Sequence, residues 1–225
     1  MSFLDYSIVR SRRKTVALSV DKNGRLIVRA PYGFPDERID EIVKEKSSWI
    51  EKHSSAAEKR SESRRERLSR PPEALPLFGE LRAVSHAEPY GYIDGVIHIP
   101  GNMTLEELLP YLRRLYARIA KEYLIPKVWL AAGEMGMDIS AVRINSAGTR
   151  WGSCSARKSI NLSWKLIAAH PALIDYVIVH ELCHTVHMDH SDAFWELVAR
   201  FIPDHKERRD RLAEMQRVIA EFGLE

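Results

Sequence analysis

The segment at residues 170–195 constrains the fold of this chain more than any other. It reads HPALIDYVIVHELCHTVHMDHSDAFW and contains the pattern His180-Glu181-x-x-His184. Two histidines four positions apart on a helix differ by about 40° around its axis, so both imidazoles lie on one face within roughly 6 Å. Apolar side chains fall on the opposite face, as expected when one side of a helix packs in the core. The segment therefore predicts a helix that presents two metal ligands to a cleft.

His190 is the predicted third ligand of this site. A catalytic zinc site takes three protein ligands and a water, and His190 follows His184 by six positions, which lets the chain leave the helix and turn back. His187 competes on the helical wheel, but a metal held by His180 and His184 would lie about 7 Å or more along the axis from it. Glu196 is a lesser candidate. Three neutral imidazoles suit Zn²⁺, which is the predicted cofactor.

Glu181 is the predicted general base. It projects from the shoulder of the two-histidine face, where it cannot easily become a ligand but can reach a water on the open side of the metal. Zinc lowers the pKa of that water, Glu181 takes its proton, and the hydroxide attacks a carbonyl, which leads to peptide hydrolysis. Three residues could stabilise the oxyanion, and the sequence does not choose between them: Tyr176, Arg150 and Asn161.

The hydrophobic periodicity of the whole chain predicts an α+β fold. Asn23-Gly24 joins two strand-like runs as a tight hairpin turn, and Pro126 is expected to separate two helices. Asp204 and Glu207 have the spacing of a capping box. Strands are predicted near residues 15–20, 25–29, 81–86, 92–99, 139–145 and 159–166. Helices are predicted from residue 36 to about 50 and at 105–123, 125–134, 171 to about 186, 192–202 and 204–222.

Composition and charge limit the classes of partner and location. Hydrophobic residues make up 45% and charged residues 29%, which is typical of a soluble globular protein, and no apolar run is long enough to cross a membrane. Cys154 and Cys183 are too few for a disulfide framework, and the N-terminus lacks a secretory signal, so a reducing, cytoplasmic location is expected. Residues 52–70 hold seven basic and three acidic residues. This basic segment favours an exposed charged face, with a docking surface for nucleic acid or an acidic partner as the alternative.

Two strings in the C-terminal half resemble the YgjP-like metallopeptidases, a bacterial group of zincin-type proteins. They are TRWGSCSARKSINLSWKLI at residues 149–167 and DYVIVHELCHTVHMDHSDAFW at residues 175–195. The order of hairpins, charged helix, WGSCS, HELCH and a C-terminal helix pair is also similar, so the resemblance covers nearly the whole chain. The zinc pattern is similar to that of WLM and SprT-type proteases, some of which cut proteins crosslinked to DNA. The resemblance implies zinc on His180, His184 and His190, with Glu181 as the catalytic base.

The predicted organisation is one metallopeptidase domain over residues 1–225. Within it, residues 1–52 form an N-terminal hairpin and helix, residues 53–72 a charged linker or helix end, and residues 73–225 a zincin-like core with C-terminal helices. The predicted function is zinc-dependent hydrolysis of peptide bonds in protein or peptide substrates.

Two other functions stay open: a nucleic-acid-associated binding protein with a structural or vestigial zinc site, and a non-peptide amide hydrolase. Glu181 favours an enzyme, since a closed structural site needs no base beside an open coordination position. The sequence does not indicate an oligomeric state.

Three further features have both a structural and a functional interpretation. The strand at residues 159–166 either binds substrate by β-augmentation or is wholly structural. Trp151 and Trp195 either pack in the core or line a substrate cleft.

Overall fold

Residues 5–148 and 150–224 are described by the computed structural model. Residues 1–4, Thr149 and Glu225 lie outside the described residues, and they include both ends of the predicted 1–225 domain and the first residue of the TRWGSCSARK string. By its contacts the chain divides into two compact units, Met1–Glu66 and Arg67–Glu225. The boundaries predicted at residues 52 and 73 stay predictions.

The first unit contains a small mixed sheet. Its strands are β1 (Tyr6–Ser11), β2 (Ala17–Val20) and β3 (Leu26–Pro31), in the order β1-β3-β2. β2 and β3 form the predicted antiparallel hairpin, and Gly24 takes the positive φ of +84° that the turn requires. β1 was not predicted, and it pairs with β3 in parallel.

Two helices follow this sheet, α1 (Asp36–Glu45) and α2 (Ser47–Leu68). The single helix predicted from residue 36 to about 50 is interrupted at Lys46, whose backbone leaves the helical region between α1 and α2. The buried side chains of β3 and the two helices form one small core, made of Leu26, Val28, Ala30, Ile39, Val43 and Ile50. The charged segment predicted as a linker or helix end is helical as far as Leu68, and Ile50 and Ala57 are the buried residues described in α2.

The second unit begins with a four-stranded sheet. Its strands are β4 (Ala74–Leu77), β5 (Glu80–Ser85), β6 (Gly91–Ile93) and β7 (Val96–His98), in the order β4-β5-β7-β6. The strands predicted at 81–86 and 92–99 correspond to β5, β6 and β7, and the second of them is divided by a turn at Asp94-Gly95. β4 was not predicted, because Pro76 within it argues against a strand.

A helix of 31 residues, α3 (Leu105–Met135), crosses the second unit. The predicted break near Pro126 is wrong. Leu124 and Val128 are both fully buried on either side of Pro126, so a continuous helix keeps this face in the core despite the hydrogen bond that proline removes. A capping box at Thr104 begins the helix, and Gly136 ends it with a φ of +65°.

The last part of the chain contains a third sheet and three helices. The strands are β8 (Ala141–Asn145), β9 (Gly152–Cys154) and β10 (Ser159–Ser163), in the order β8-β10-β9, and a 3-10 helix follows at Trp164–Ala168. The helices are α4 (Pro171–Cys183), α5 (Asp192–Phe201) and α6 (His205–Glu221). The capping box predicted at Asp204 is wrong, since its Oδ2 accepts instead from Arg208 Nε at 2.9 Å.

The buried helix α4 forms much of the core of the second unit. Nine of its thirteen residues are buried, and its apolar side chains join the same cluster as those of α3, α5 and α6. Strands toward the N-terminus and helices toward the C-terminus confirm the predicted α+β class. None of the described helices is both long and apolar enough to cross a membrane.

Candidate metal centre

The backbone of α4 places the two motif histidines on one face. The helix begins at Pro171, and a ring nitrogen of the capping residue His170 accepts from the N–H of Ala172 at 3.2 Å. α4 ends at Cys183, earlier than the predicted Val186. His184 nevertheless keeps helical backbone angles of −66° and −14°, so its side chain still follows the helical spacing from His180.

His180, His184 and His190 converge at one place. One ring nitrogen of each lies within 4.8 Å of the other two. The Nε2 atoms of His180 and His190 are 3.2 Å apart, close to the roughly 3.3 Å that separates two nitrogens bound to one tetrahedral zinc. His187 and Glu196, the two competing candidates, are not members of this group. The ligand roles themselves stay a prediction at this point.

The hydrogen bonds of the imidazoles fit a cation. Nδ1 of His184 lies 2.9 Å from the carbonyl oxygen of His187, so Nδ1 donates its proton there and Nε2 is left with a free lone pair. Nδ1 of His180 is buried and has no hydrogen-bond partner within the described part of the chain. A strong bond from the other nitrogen of that ring to a metal would offset the cost of burying it.

Burial keeps the helical histidines neutral. It lowers the pKa of His180 to about 3, and the nearby rings of His184 and His190 act in the same direction. Burial also lowers the pKa of His184, although the His187 carbonyl partly opposes this. Neutral imidazole is the form that binds a metal, so these two rings are ready to act as ligands at neutral pH.

Glu181 lies beside this cluster and is also buried, with 6% of its surface exposed. Burial raises the pKa of its carboxyl to about 8, while the guanidinium of Arg150 and a hydrogen bond from the backbone N–H of Cys154 act in the opposite direction. The carboxyl is therefore a stronger base than one in water, which suits proton transfer near neutral pH.

The stability of the metal-free protein is expected to show both pKa shifts, which act in opposite directions. Unfolded His180 binds a proton near its ordinary pKa of 6.5 that the folded protein does not bind, so stability is lost as the pH falls below about 6.5. The unfolded Glu181 carboxyl ionises near 4.5 while the folded one stays protonated, so stability is lost as the pH rises from about 4.5 to about 8.

Urea unfolding of chelator-treated parent and Glu181→Gln protein between pH 5 and 8 separates the two effects. Between pH 6.5 and 8 we expect the parent to lose up to about 1.4 kcal/mol per pH unit and the variant to stay level. Below pH 6.5 the variant should lose stability more steeply than the parent, because in the parent the protonation of Glu181 offsets part of the loss that comes from His180 and His184. Equal slopes in the two proteins would contradict the shift of Glu181.

Aromatic rings from the last two helices surround the histidines. Phe194 stacks on His184, with ring centroids 4.5 Å apart and planes 24° apart. Trp195 stacks on His190 at 5.6 Å and on His205 at 5.4 Å. Trp195 therefore lies at the site, and it also packs against the core of the second unit, so the structure supports both interpretations of this residue. Phe194 and His205 were missed, and the only signal for Phe194 was its place in the DAFW end of the second string.

The three oxyanion candidates take different positions. Tyr176 is buried, and its ring centroid lies 5.8 Å from that of His180 in an edge-to-face contact. Arg150 is exposed and close enough to act electrostatically on Glu181. Asn161 lies in the middle of β10. Trp151 is half-buried against the core of the second unit, which favours its structural interpretation.

β10 is the central strand of its sheet. It pairs with β8 in parallel and with β9 in an antiparallel register, so neither of its edges can accept a substrate strand there. This favours the structural interpretation of residues 159–163, while residues 164–166 lie in the 3-10 helix. The edge strand next to Glu181 is β9, in a stretch that the sequence predicted as a loop.

Comparisons with known proteins give a family and a similar solved structure. A family model described as "YgjP-like, metallopeptidase domain" matches residues 14–215. A solved structure, the metallopeptidase zymogen of Pyrococcus abyssi abylysin, is 24% identical over 40% of this chain and 90% of its own, with a TM-score of 0.37. A search of curated proteins gives no match.

Proposed function

This chain belongs to the YgjP-like metallopeptidase family, and we propose that it is a zinc-dependent peptidase that uses Glu181 as its general base. His180, His184 and His190 are the proposed ligands. The convergence of three imidazole nitrogens within 4.8 Å of one another is the observation that carries this proposal. Membership of a peptidase family implies protein or peptide substrates.

The donor set supports zinc in particular. Imidazole nitrogens are borderline ligands that suit Zn²⁺ better than the oxygen-seeking Mg²⁺ or Ca²⁺. Three protein ligands leave one position of a tetrahedron open, as in catalytic rather than structural zinc sites. When bound, zinc supplies Lewis-acid activation of a water and of the scissile carbonyl.

Glu181 moves the proton in the proposed reaction. Its carboxylate takes a proton from the attacking water as the water oxygen bonds to the carbonyl carbon. The carboxyl then gives that proton to the amine nitrogen as the carbon–nitrogen bond breaks. The buried position of Glu181 supports both steps. Burial raises the pKa of the carboxyl, which favours taking the proton from water. A nearby positive charge lowers that pKa again, which favours giving the proton up.

The alternatives are less well supported. A structural or vestigial zinc site gains nothing from a carboxyl that is buried at a cost beside the ligands and is not itself a ligand. A non-peptide amide hydrolase does not agree with the peptidase family. A nucleic-acid contact through residues 52–70 stays a prediction.

A cytoplasmic location remains part of the proposal. Cys154 and Cys183 are free thiols, which suits a reducing compartment.

Metal analysis of two single variants tests the ligand set. We expect the parent, purified without chelator, to hold about one zinc per chain. His190→Ala should weaken zinc binding by more than about tenfold, because it removes one of three ligands. His187→Ala is the matched control, because His187 is three positions from His190 in the sequence but outside the three-histidine group. This variant should keep the parental affinity for zinc. Equal affinities of the two variants in competition with a zinc-binding dye would remove His190 from the ligand set.

A further inference from the structure

The side chain of Glu181 occupies the space next to Gly152 in β9. A Cβ atom added at Gly152 would lie 2.7 Å from both Cγ and Oε1 of Glu181 and 2.9 Å from its Cδ. These are its three nearest atoms, and real Cβ contacts essentially never fall below 3.0 Å. Even alanine at this position would therefore force Glu181 to move.

The backbone conformation of Gly152 does not explain the glycine. Its φ is not among the positive values of the described residues, so an L-residue could adopt the same backbone without strain. The reason for a glycine at position 152 is therefore steric: the Glu181 side chain occupies the place that a Cβ atom would take. Gly148, in the preceding loop, differs: a Cβ added there would meet nothing within 4 Å.

The hydrogen bonds of β9 direct its outer edge toward Glu181. Ser163 N–H donates to the Trp151 carbonyl at 2.8 Å, and Ser155 N–H donates to the Ser159 carbonyl at 3.0 Å. Because such bonds alternate along an antiparallel pair, the amide groups of Gly152 and Cys154 face away from β10. The N–H of Cys154 therefore lies on the side where it can donate to the Glu181 carboxyl, whose pKa it lowers.

We propose that β9 positions the general base: Gly152 provides the space in which the Glu181 side chain lies, and the N–H of Cys154 fixes its carboxyl. The inference rests on the proposed function, in which Glu181 acts as the base. A glutamate on a helix has three rotatable bonds and several accessible rotamers. A strand residue without a side chain, followed two residues later by an N–H donor, selects one of them. Gly152 and Cys154 are positioning residues that act through Glu181.

The test compares Gly152→Ala with Gly148→Ala, using fluorescein-labelled casein as the substrate. We expect Gly152→Ala to lower kcat by about 100-fold or more, which is the scale of losing general-base catalysis, with KM within about threefold of the parent and zinc content unchanged. Gly148→Ala should match the parent in all three. A loss of zinc, or a change in KM alone, would mean that Gly152 supports the fold or substrate binding instead.

A double variant tests the contact without measuring activity. Glu181→Ala removes every side-chain atom that an alanine at position 152 would meet first. We therefore expect Gly152→Ala to lower the Tm by about 3 °C or more in the parent, as overpacking does, and by less than about 1 °C in the Glu181→Ala background. Equal shifts in both backgrounds, or failure of the double variant to fold, would overturn the inference.

The failure of this inference and that of the proposed function give different results. If Gly152→Ala has the kcat of the parent while Glu181→Gln is inactive, Glu181 remains the proposed general base and the positioning role of β9 is wrong. Should Glu181→Gln turn over like the parent, the proposed function is wrong whatever Gly152→Ala does.

Discussion

Glu181→Gln is expected to lower kcat for casein hydrolysis by about 10²- to 10⁴-fold while the zinc stays bound. Glutamine has nearly the same shape as glutamate, and its amide oxygen can still accept from the N–H of Cys154. The amide cannot take a proton from water at neutral pH, so only the proton transfer is lost. Metal analysis and steady-state kinetics on the same preparation measure both quantities.

Stability gives this variant an independent signature. The carboxyl of Glu181 is buried and its pKa is raised to about 8, so above its unfolded pKa it destabilises the metal-free fold. Neutral glutamine removes this cost, and the metal-free variant should melt no lower than the parent at pH 7.5. Low activity together with a lower Tm would indicate misfolding.

Glu196→Gln is the matched control for the charge. Glu196 is exposed on α5, and the same chemical change there should leave kcat within about twofold, since surface substitutions have small effects. A comparable loss of kcat in both variants would contradict a specific role for Glu181.

Removal of the metal should abolish turnover and lower the Tm substantially. A ligand present at about 1,000 times its Kd stabilises the folded state by about 4 kcal/mol, which corresponds to roughly 8–16 °C for a chain of this size. The three-histidine group supports such coupling, because unfolding separates ring nitrogens that lie within 4.8 Å of one another in the folded protein. Differential scanning fluorimetry with and without chelator measures the shift.

Metal replacement and two variants complete this experiment. Added Zn²⁺ should restore both activity and Tm, whereas Mg²⁺ should restore neither, because it prefers oxygen ligands. His180→Ala should show no zinc-dependent Tm shift, and His187→Ala should keep the full shift. A parent whose activity and Tm are the same with and without chelator would contradict a metal-dependent peptidase.

Local patterns were enough to predict much of the site. The spacing of His180, Glu181 and His184 depends only on helix geometry, and α4 has that geometry. The place of His190 in the cluster followed from the number of ligands that zinc takes and from the few residues in which the chain can return. The β2–β3 hairpin was likewise predicted from its two-residue turn.

Contacts between distant segments account for what the sequence did not predict. β9 has three residues, and neither its length nor its composition indicates a strand; it exists because β10 pairs with it. β1, the parallel partner of β3, likewise has no local sequence signal, because no tight turn connects the two strands. The close approach of Gly152 to Glu181 joins two elements that meet only in the folded chain. The helix break predicted at Pro126 was wrong for the same reason: burial of the residues on both sides of it outweighs the local tendency of proline to end a helix.

The burial of α4 also has an evolutionary consequence. Nine of its thirteen residues are buried, eight of them in the core and the ninth being Glu181, so the same short segment carries both core packing and residues of the proposed site. Substitutions that would retune the site from this helix also disturb packing, and selection against unstable variants removes most of them. Substitutions are better tolerated outside α4, as at the exposed turn that carries Val186 and Met188. A buried helix that holds residues of the proposed site is thus followed by a turn whose sequence can change at little cost in stability.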